Sequence, residues 1–401
     1  MLIAMCRFFV AAVVCMVAGL SAFAAEVTVG NITIQPNSYG NRCLVAHVSL
    51  KGEITKGDAG RLAVAIAEVD KAAIAQNSSC WVNDQDTRRL IYVELQSPGG
   101  LYSEGWKIAK LVSAAKTVAA TYVSKDSFCY SACAIAFLGG AVPAAEDTII
   151  MRRILHPTAK LGFHAPFPML EDNSYTGDDV KEFFLSAFTL VSEFMKDARR
   201  LGIKSEVAQL LLQPTPTQFY EINSSGRALL TNVTISAAPV TFSVRGTGLK
   251  AITAQNILNL CYNNQVLRAS GDVTEMVTFL EHRKGGKSFI SVKTKTHNYF
   301  GTNDLPTEVM VVPVADAGEG EVLSCVAIVA SMPDADNPDE RMKFACLGFK
   351  YGDKEIADKI TQVGAEWLWS DRTEGCDRSS KLALLPWATK LTDIPPAYLD
   401  D

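Results

Sequence analysis

Between residues 44 and 163, short apolar runs alternate with stretches whose apolar residues recur at helical spacing, and this alternation narrows the fold more than any other feature. Residues 44–50 (LVAHVSL) read as a strand that ends in a Lys51-Gly52-Glu53 turn. From Asp58, the residues Leu62, Ala63, Ile66 and Val69 share one helical face. Residues 90–95 (LIYVEL) form a nearly continuous apolar strand running into Ser97-Pro98-Gly99-Gly100. A helix follows over 103–115, with Trp106, Ile108, Ala109 and Val112, then a strand over 117–123, a helix over 131–138 closed by Gly139-Gly140, and a strand over 160–163. Strands and helices in alternation imply a largely parallel sheet with crossover helices.

Past Pro168 the pattern changes. A polar loop gives way to a long amphipathic helix over 178–201, whose apolar face carries Phe183, Phe184, Ala187, Leu190, Val191, Phe194 and Met195. Gly202 caps it, and a short helix spans 205–212. From about residue 239, strand-like runs dominate (240–244, 288–294, 308–314, 322–330 and 342–351), with helices expected over 253–267, 273–282 and 353–367. The expected division is a segment 1–25, a catalytic domain over 26–238, and a smaller α+β domain over 239–401 that carries no catalytic motif.

Arg7 is the only charge ahead of an apolar run over 8–20, and Ala22-Phe23-Ala24 supplies small residues at the two positions a signal peptidase reads. The expectation is a cleaved secretory signal, no membrane span afterwards, and an exported protein in the bacterial periplasm. Ten cysteines fit that address: eight remain beyond the signal, four to each half, which favours disulfides within domains. A zinc site lacks the short-spaced ligand sets it would need. A formal net charge of −5 with no basic run gives no footprint for nucleic acid.

Ser131 lies in Phe128-Cys129-Tyr130-Ser131-Ala132-Cys133, and His164 follows in Phe163-His164-Ala165-Pro166. A serine hydroxyl is a weak nucleophile until a base in hydrogen-bond reach accepts its proton, and an imidazole does this near neutral pH. Gly-Gly after a strand can turn backbone N–H groups toward a ligand because no Cβ blocks the approach. Ser131 at a helix start makes the Ala132 amide a second oxyanion donor. Taken singly, each piece has a plainer reading: a turn, an N-cap, a packed histidine. His156, ahead of Pro157, reads as a solvated loop residue. Cys129 and Cys133 flank Ser131 two residues away on each side, and a disulfide between them would tether the turn.

The order of these pieces resembles the Clp protease proteolytic subunit and its relatives in the Clp/crotonase superfamily, over about residues 44–233. The resemblance rests on the apolar strand ending in Ser97-Pro98-Gly99-Gly100, on Ser131-Ala132, on His164-Ala165-Pro166, and on the long helix that follows, the counterpart of the family's handle. It implies an α/β fold, a β-β-α spiral domain with a handle helix, here followed by the smaller α+β domain. It implies Ser131 as nucleophile, His164 as base, and Gly99 or Gly100 with Ala132 as oxyanion hole. Peptides or unfolded proteins are the implied substrates, a homo-oligomer the implied assembly, and no cofactor or metal is called for.

The family's third member, an aspartate, has no counterpart: the matching position falls near Phe219, and no aspartate occurs between Asp197 and Asp272. Glu221 is nearest in sequence, and Asp172, Asp178 and Asp179 are spatial alternatives. A dyad oriented by a backbone carbonyl or by Gln218 also stands open. Lys125 and Lys160 are the lysines for a rival Ser–Lys mechanism. Three functions follow: an exported, ATP-independent serine peptidase; a Clp-like fold without catalysis that serves as a binding or scaffold module; or a crotonase-like acyl-CoA enzyme, which export disfavours.

Overall fold

The computed structural model describes residues 24–399 except 37–41, 83–84, 88, 115–117, 144–148, 168–174, 216, 239–248, 269–272, 283–289, 295–306, 319–320, 334–340 and 354–380. The anticipated signal, the strand over 240–244 and most of the helix over 353–367 therefore lie outside the described residues.

The chain opens with β1 (Glu26–Pro36) and β2 (Arg42–Lys51), then α1 (Asp58–Ala75) and a small hairpin of β3 (Cys80–Val82) and β4 (Gln85–Thr87). Next come β5 (Arg89–Gln96), α2 (Tyr102–Ala114), β6 (Val118–Val123), β7 (Phe128–Tyr130) and α3 (Ala132–Phe137). After β8 (Ala141–Pro143), β9 (Ile149–Met151), β10 (Arg153–Leu155) and β11 (Lys160–Phe163) lies the long α4 (Gly177–Asp197). Then follow α5 (Ser205–Leu212), β12 (Tyr220–Glu221), α6 (Ser225–Leu230) and β13 (Thr234–Ile235).

A six-stranded sheet runs in the order β1-β2-β5-β6-β10-β13, parallel from β2 onward, with β1 added antiparallel at one edge. Alternation sorts its side chains. Leu44, Ala46, Val48 and Leu50 on β2, with Ile91, Val93 and Leu95 on β5, enter the main core. Cys43, Val45, Leu90, Tyr92, Ala120 and Tyr122 point the other way into a smaller cluster. Both faces are covered, which is why these strands read as continuous apolar runs. The Cys43–Cys80 disulfide joins β2 to the β3–β4 hairpin on that second side. β1, which pairs along the whole of β2, was not anticipated from the sequence.

A second, three-stranded sheet, β12-β11-β7, carries the site. β11 lies parallel to β7 and antiparallel to β12. Arg153 on β10 is fully buried, and its guanidinium donates to the Leu138, Leu201 and Thr231 carbonyls. These carbonyls stand at or just past the C-terminal ends of α3, α4 and α6, where helices leave acceptors unpaired. One cation thus gathers three helix ends, although burial pulls it down to about 9.

α4 starts with a reciprocal cap between Thr176 and Asp179 and buries only Phe194, leaving Val180, Phe184, Leu185 and Phe188 exposed. Beyond it lie α7 (Ala254–Arg268), α8 (Val273–His282) and an antiparallel meander of β14 (Ile290–Thr294), β15 (Thr307–Gly318), β16 (Glu321–Pro333) and β17 (Arg341–Asp353). The Cys261–Cys325 disulfide fastens α7 to β16.

Residues 381–399 then return to the segments around α6 and α7 as a strap of three short 3-10 turns. Ser225 N–H donates to Thr389 O and Gly226 N–H to Trp387 O, each at 2.9 Å, and Leu391 N–H donates to Asn223 O at 3.2 Å. The Trp387 ring lies so close over Gly226 that a Cβ there would come within 2.1 Å of it. Asn256, Asn259 and Asn263 on α7 donate their amides to strap carbonyls from Ala383 to Leu385. The division expected at residue 238 is therefore bridged by backbone and core contacts.

Candidate active site

β5 delivers the chain to Ser97, whose N–H donates to Phe128 O (3.0 Å) and whose O accepts from Tyr130 N–H (3.1 Å). That bridge sets the Ser97-Pro98-Gly99-Gly100 turn beside the turn from β7 into α3. Gly99 and Gly100 sit at φ 113° and 127°, where side chains are strained. Space forbids a side chain as well. A Cβ on Gly99 would lie 2.6 Å from Ser131 Cβ and 3.2 Å from its Oγ, and one on Gly100 would lie 2.3 Å from Ile54 O.

Gly99 N–H is already donated to the buried Ser97 Oγ at 3.0 Å. Ile54 donates to Gly99 O and accepts from Leu101 N–H, at 2.7 and 2.8 Å, so the Gly100 N–H faces the opposite way. Of the three amides expected as oxyanion donors, those of Gly100 and Ala132 have no hydrogen-bond partner among the described residues.

Ser131 adopts φ 57° and ψ −123°, one of four non-glycine residues at positive φ among the described residues. It stands at the N-cap of α3, yet its side chain makes no capping bond, so capping does not explain it. Its N–H is fixed on Gly162 O at 3.0 Å. The Cys129–Cys133 disulfide closes the turn around it, and both sulfurs are buried.

His164 follows β11 directly and is buried. Its Nδ1 lies 2.6 Å from Ala165 O. A carbonyl only accepts, so Nδ1 carries the proton and Nε2 keeps its lone pair, the tautomer a general base needs. Burial lowers the imidazole below its ordinary value, partly opposed by the Ala165 carbonyl. Among the described residues, no hydrogen bond joins His164 to Ser131 Oγ and no carboxylate touches the ring.

The strand register places Tyr130, Gly162 and Glu221 side by side on one face. Tyr130 OH donates to Glu221 Oε1 at 3.3 Å, so that carboxylate serves the tyrosine and not the imidazole. Asp172 lies outside the described residues, and Asp179 is committed to the α4 cap. Aromatic rings continue along this face: Tyr130 to Phe219 at 4.7 Å, Phe219 to His164 at 5.2 Å, and His164 to Phe167 at 5.1 Å between centroids. Phe167 was not singled out by the sequence, and Phe219 was marked only as lying near the place of the family's aspartate; the pairing of β11 with β12 brings its ring to the histidine.

Lys160 shares this face but lies four residues from His164, about 13 Å along a strand. Lys125 is exposed in the turn after β6. His156, read as a solvated loop residue, is instead buried, with Nδ1 accepting from Thr158 N–H at 3.1 Å. The short return through Thr158 at the start of β11 packs it. Among the described residues, no cluster of His, Cys, Asp and Glu is arranged to hold a metal ion, and no helix is long and apolar enough to cross a membrane.

No family model matches the chain, and no curated protein matches it. Solved structures similar to part of it include the following two. A point mutant of the 1510-N membrane-bound stomatin-specific protease matches at 17% identity and a TM-score of 0.31, over 48% of this chain and 79% of its own. A point mutant of ClpP1 from Listeria monocytogenes matches at 14% identity and a TM-score of 0.34, over 48% of this chain and 91% of its own.

Proposed function

We propose that this chain is an exported, ATP-independent serine peptidase with a Clp/crotonase-like catalytic domain, acting through an acyl-enzyme on Ser131. One observation carries the reading: Ser131 is held in a strained backbone conformation at a strand-to-helix turn, its hydroxyl unused for capping and set against a Gly-Gly turn. Strain of about 1–3 kcal/mol at a residue persists where its surroundings over-determine it, and such residues cluster at active sites. His164 Nε2 takes the hydroxyl proton as Ser131 Oγ attacks the peptide carbonyl. The Gly100 and Ala132 amides hold the oxyanion. His164 then protonates the leaving amine, and water repeats the sequence to free the acyl group.

The Ala165 carbonyl, in place of a carboxylate, orients the ring. It fixes the tautomer but does not neutralise an imidazolium, so turnover is slow beside a full triad. Three disulfides among the described residues favour an oxidising compartment, in keeping with the signal read at the N-terminus. The exposed Val180, Phe184, Leu185 and Phe188 on α4 favour a homo-oligomer. Hydrolysis of unfolded polypeptide without nucleotide tests the reading. Ser131→Ala and His164→Ala are each expected to lower kcat/KM by about 10³-fold or more; unchanged turnover in either variant would overturn it.

A second reading, a binding or scaffold module of the same fold, is favoured because, among the described residues, no hydrogen bond joins Ser131 to His164 and no carboxylate orients the ring. Catalytic hydrogen bonds commonly close only with substrate in place, which keeps the peptidase first.

A further inference from the structure

A groove of about 520 Å³ opens beside the first half of β11, away from Ser131 and His164. Its walls come from residues 157–161, from 221–224, from Glu281 on α8, and from 388–392 of the strap. β12 pairs with β11 at Gly162 and Phe163, and Ile222 N–H next donates to Leu161 O, so the gap beside residues 157–160 is left to the strap to close.

Four charged side chains line it: Lys160, Lys390, Glu221 and Glu281. Glu281 is neutralised, since Arg227 Nε and Nη2 both donate to its Oε1, at 3.1 and 3.0 Å. Glu221 accepts from Tyr130 OH. Among the described residues, neither Lys160 nor Lys390 is in an ion pair. Two unpaired cations against one remaining carboxylate leave the groove with an excess of positive charge, and Ser224 and Thr392 add hydroxyl donors to its wall.

Its place relative to the reacting groups gives that charge a meaning. Lys160, Gly162 and His164 alternate onto one face of β11. Between the lysine and the histidine this face is floored by Tyr130 and Phe219, both of which approach Gly162, with the exposed Phe128 ring stacked at 6.2 Å from Tyr130. The order along the strand is therefore base, aromatic floor, cationic groove. An extended chain advances about 3.3 Å per residue, so about four residues separate a bond at Ser131 from a group at Lys160.

We infer that the groove is a recognition site for the free carboxylate at the C-terminus of a polypeptide with an apolar tail, held by Lys160 and Lys390. Built on the peptidase reading, it makes the protein an enzyme that removes about four residues from such tails. The strap is part of the site, because it supplies Lys390.

Binding can be measured without turnover, by fluorescence anisotropy of labelled apolar octapeptides on the full chain carrying Ser131→Ala. A free-acid peptide is expected to bind about tenfold more tightly than its C-terminal amide, the scale of partly exposed charge-assisted contacts. Lys160→Met with Lys390→Met should erase that difference while leaving the amide's affinity and the melting temperature unchanged. Equal binding of acid and amide, or a preference that survives the double substitution, would overturn the inference. An amidated peptide with aspartate at its last position separates a chain terminus from a side-chain carboxylate. Weak binding of it supports terminus recognition, and binding equal to the free acid contradicts it. If the acid preference holds while the unsubstituted chain hydrolyses no peptide, the groove stands and the peptidase reading falls.

Discussion

A serine at φ 57° and ψ −123° is costly, and glycine adopts that conformation without penalty. Ser131→Gly is therefore expected to raise stability by about 1 kcal/mol, seen as a higher melting temperature, while abolishing hydrolysis. A lower melting temperature would mean that the hydroxyl has a structural duty. The imidazoles make a pH prediction with a definite sign. Burial lowers His47, opposed by Glu94; it lowers His156, opposed by Asp126; and it lowers His164, opposed by the Ala165 carbonyl. Below pH 6.5 the unfolded chain binds more protons at these sites than the folded one, so their contribution to stability is present above pH 6.5 and lost as pH falls below it. Urea midpoints at pH 7.5 and pH 5 check this, the lower pH giving the lower midpoint. The acid limb of kcat/KM should lie below the ordinary imidazole value, because only neutral His164 accepts a proton. As candidates, His164 and the two glycines were legible in the sequence because each follows an apolar strand in a short motif, and Ser131 because it opens an apolar helix. The Ala165 carbonyl was one of several open choices for orienting the ring, since a backbone acceptor leaves no mark in residue identity.

Among elements, the three disulfides differ in what they do. Chain-entropy estimates give about 4 kcal/mol each for Cys43–Cys80 and Cys261–Cys325, at sequence separations of 37 and 64, but only about 2 kcal/mol for Cys129–Cys133 at a separation of 4. The small loop stabilises the fold least, so its consequence is local: it fixes β7 against the first turn of α3. Replacing Cys129 and Cys133 by alanine should lower kcat/KM at least tenfold with a small shift in melting temperature, whereas the same change at Cys43 and Cys80 should lower the melting temperature with little effect on kcat/KM at 25 °C. The reverse pattern would place the control of Ser131 elsewhere. The parallel strands β2, β5 and β6 and their crossover helices were readable from periodicity, because strands buried on both faces are apolar throughout, whereas the parallel β10 and β13 were not anticipated. Nor were β7 and β12, being three and two residues long, too short for any period to register. Their pairing with β11 nonetheless decides which rings surround His164.

For the whole molecule, the return of residues 381–399 is the feature least visible in sequence, since nothing in LALLPW names a partner more than 150 residues earlier. Trp387 over Gly226 and the asparagines of α7 on strap carbonyls tie the strap to α6, which follows the site-bearing sheet directly, and to α7. A chain ending at residue 380 should unfold at clearly lower urea than the full chain, and Trp387→Ala should cost about 3–5 kcal/mol. Equal midpoints would show the strap to be dispensable. Catalysis by this chain depends on the Ser131 hydroxyl being an activated nucleophile. Its most direct measurement is the mass of the purified chain after a fluorophosphonate, with peptide mapping of the adduct. One phosphonyl group per chain on Ser131, absent from His164→Ala and from heat-unfolded protein, is the expected result. No adduct on folded protein, or an adduct on another serine, would contradict it.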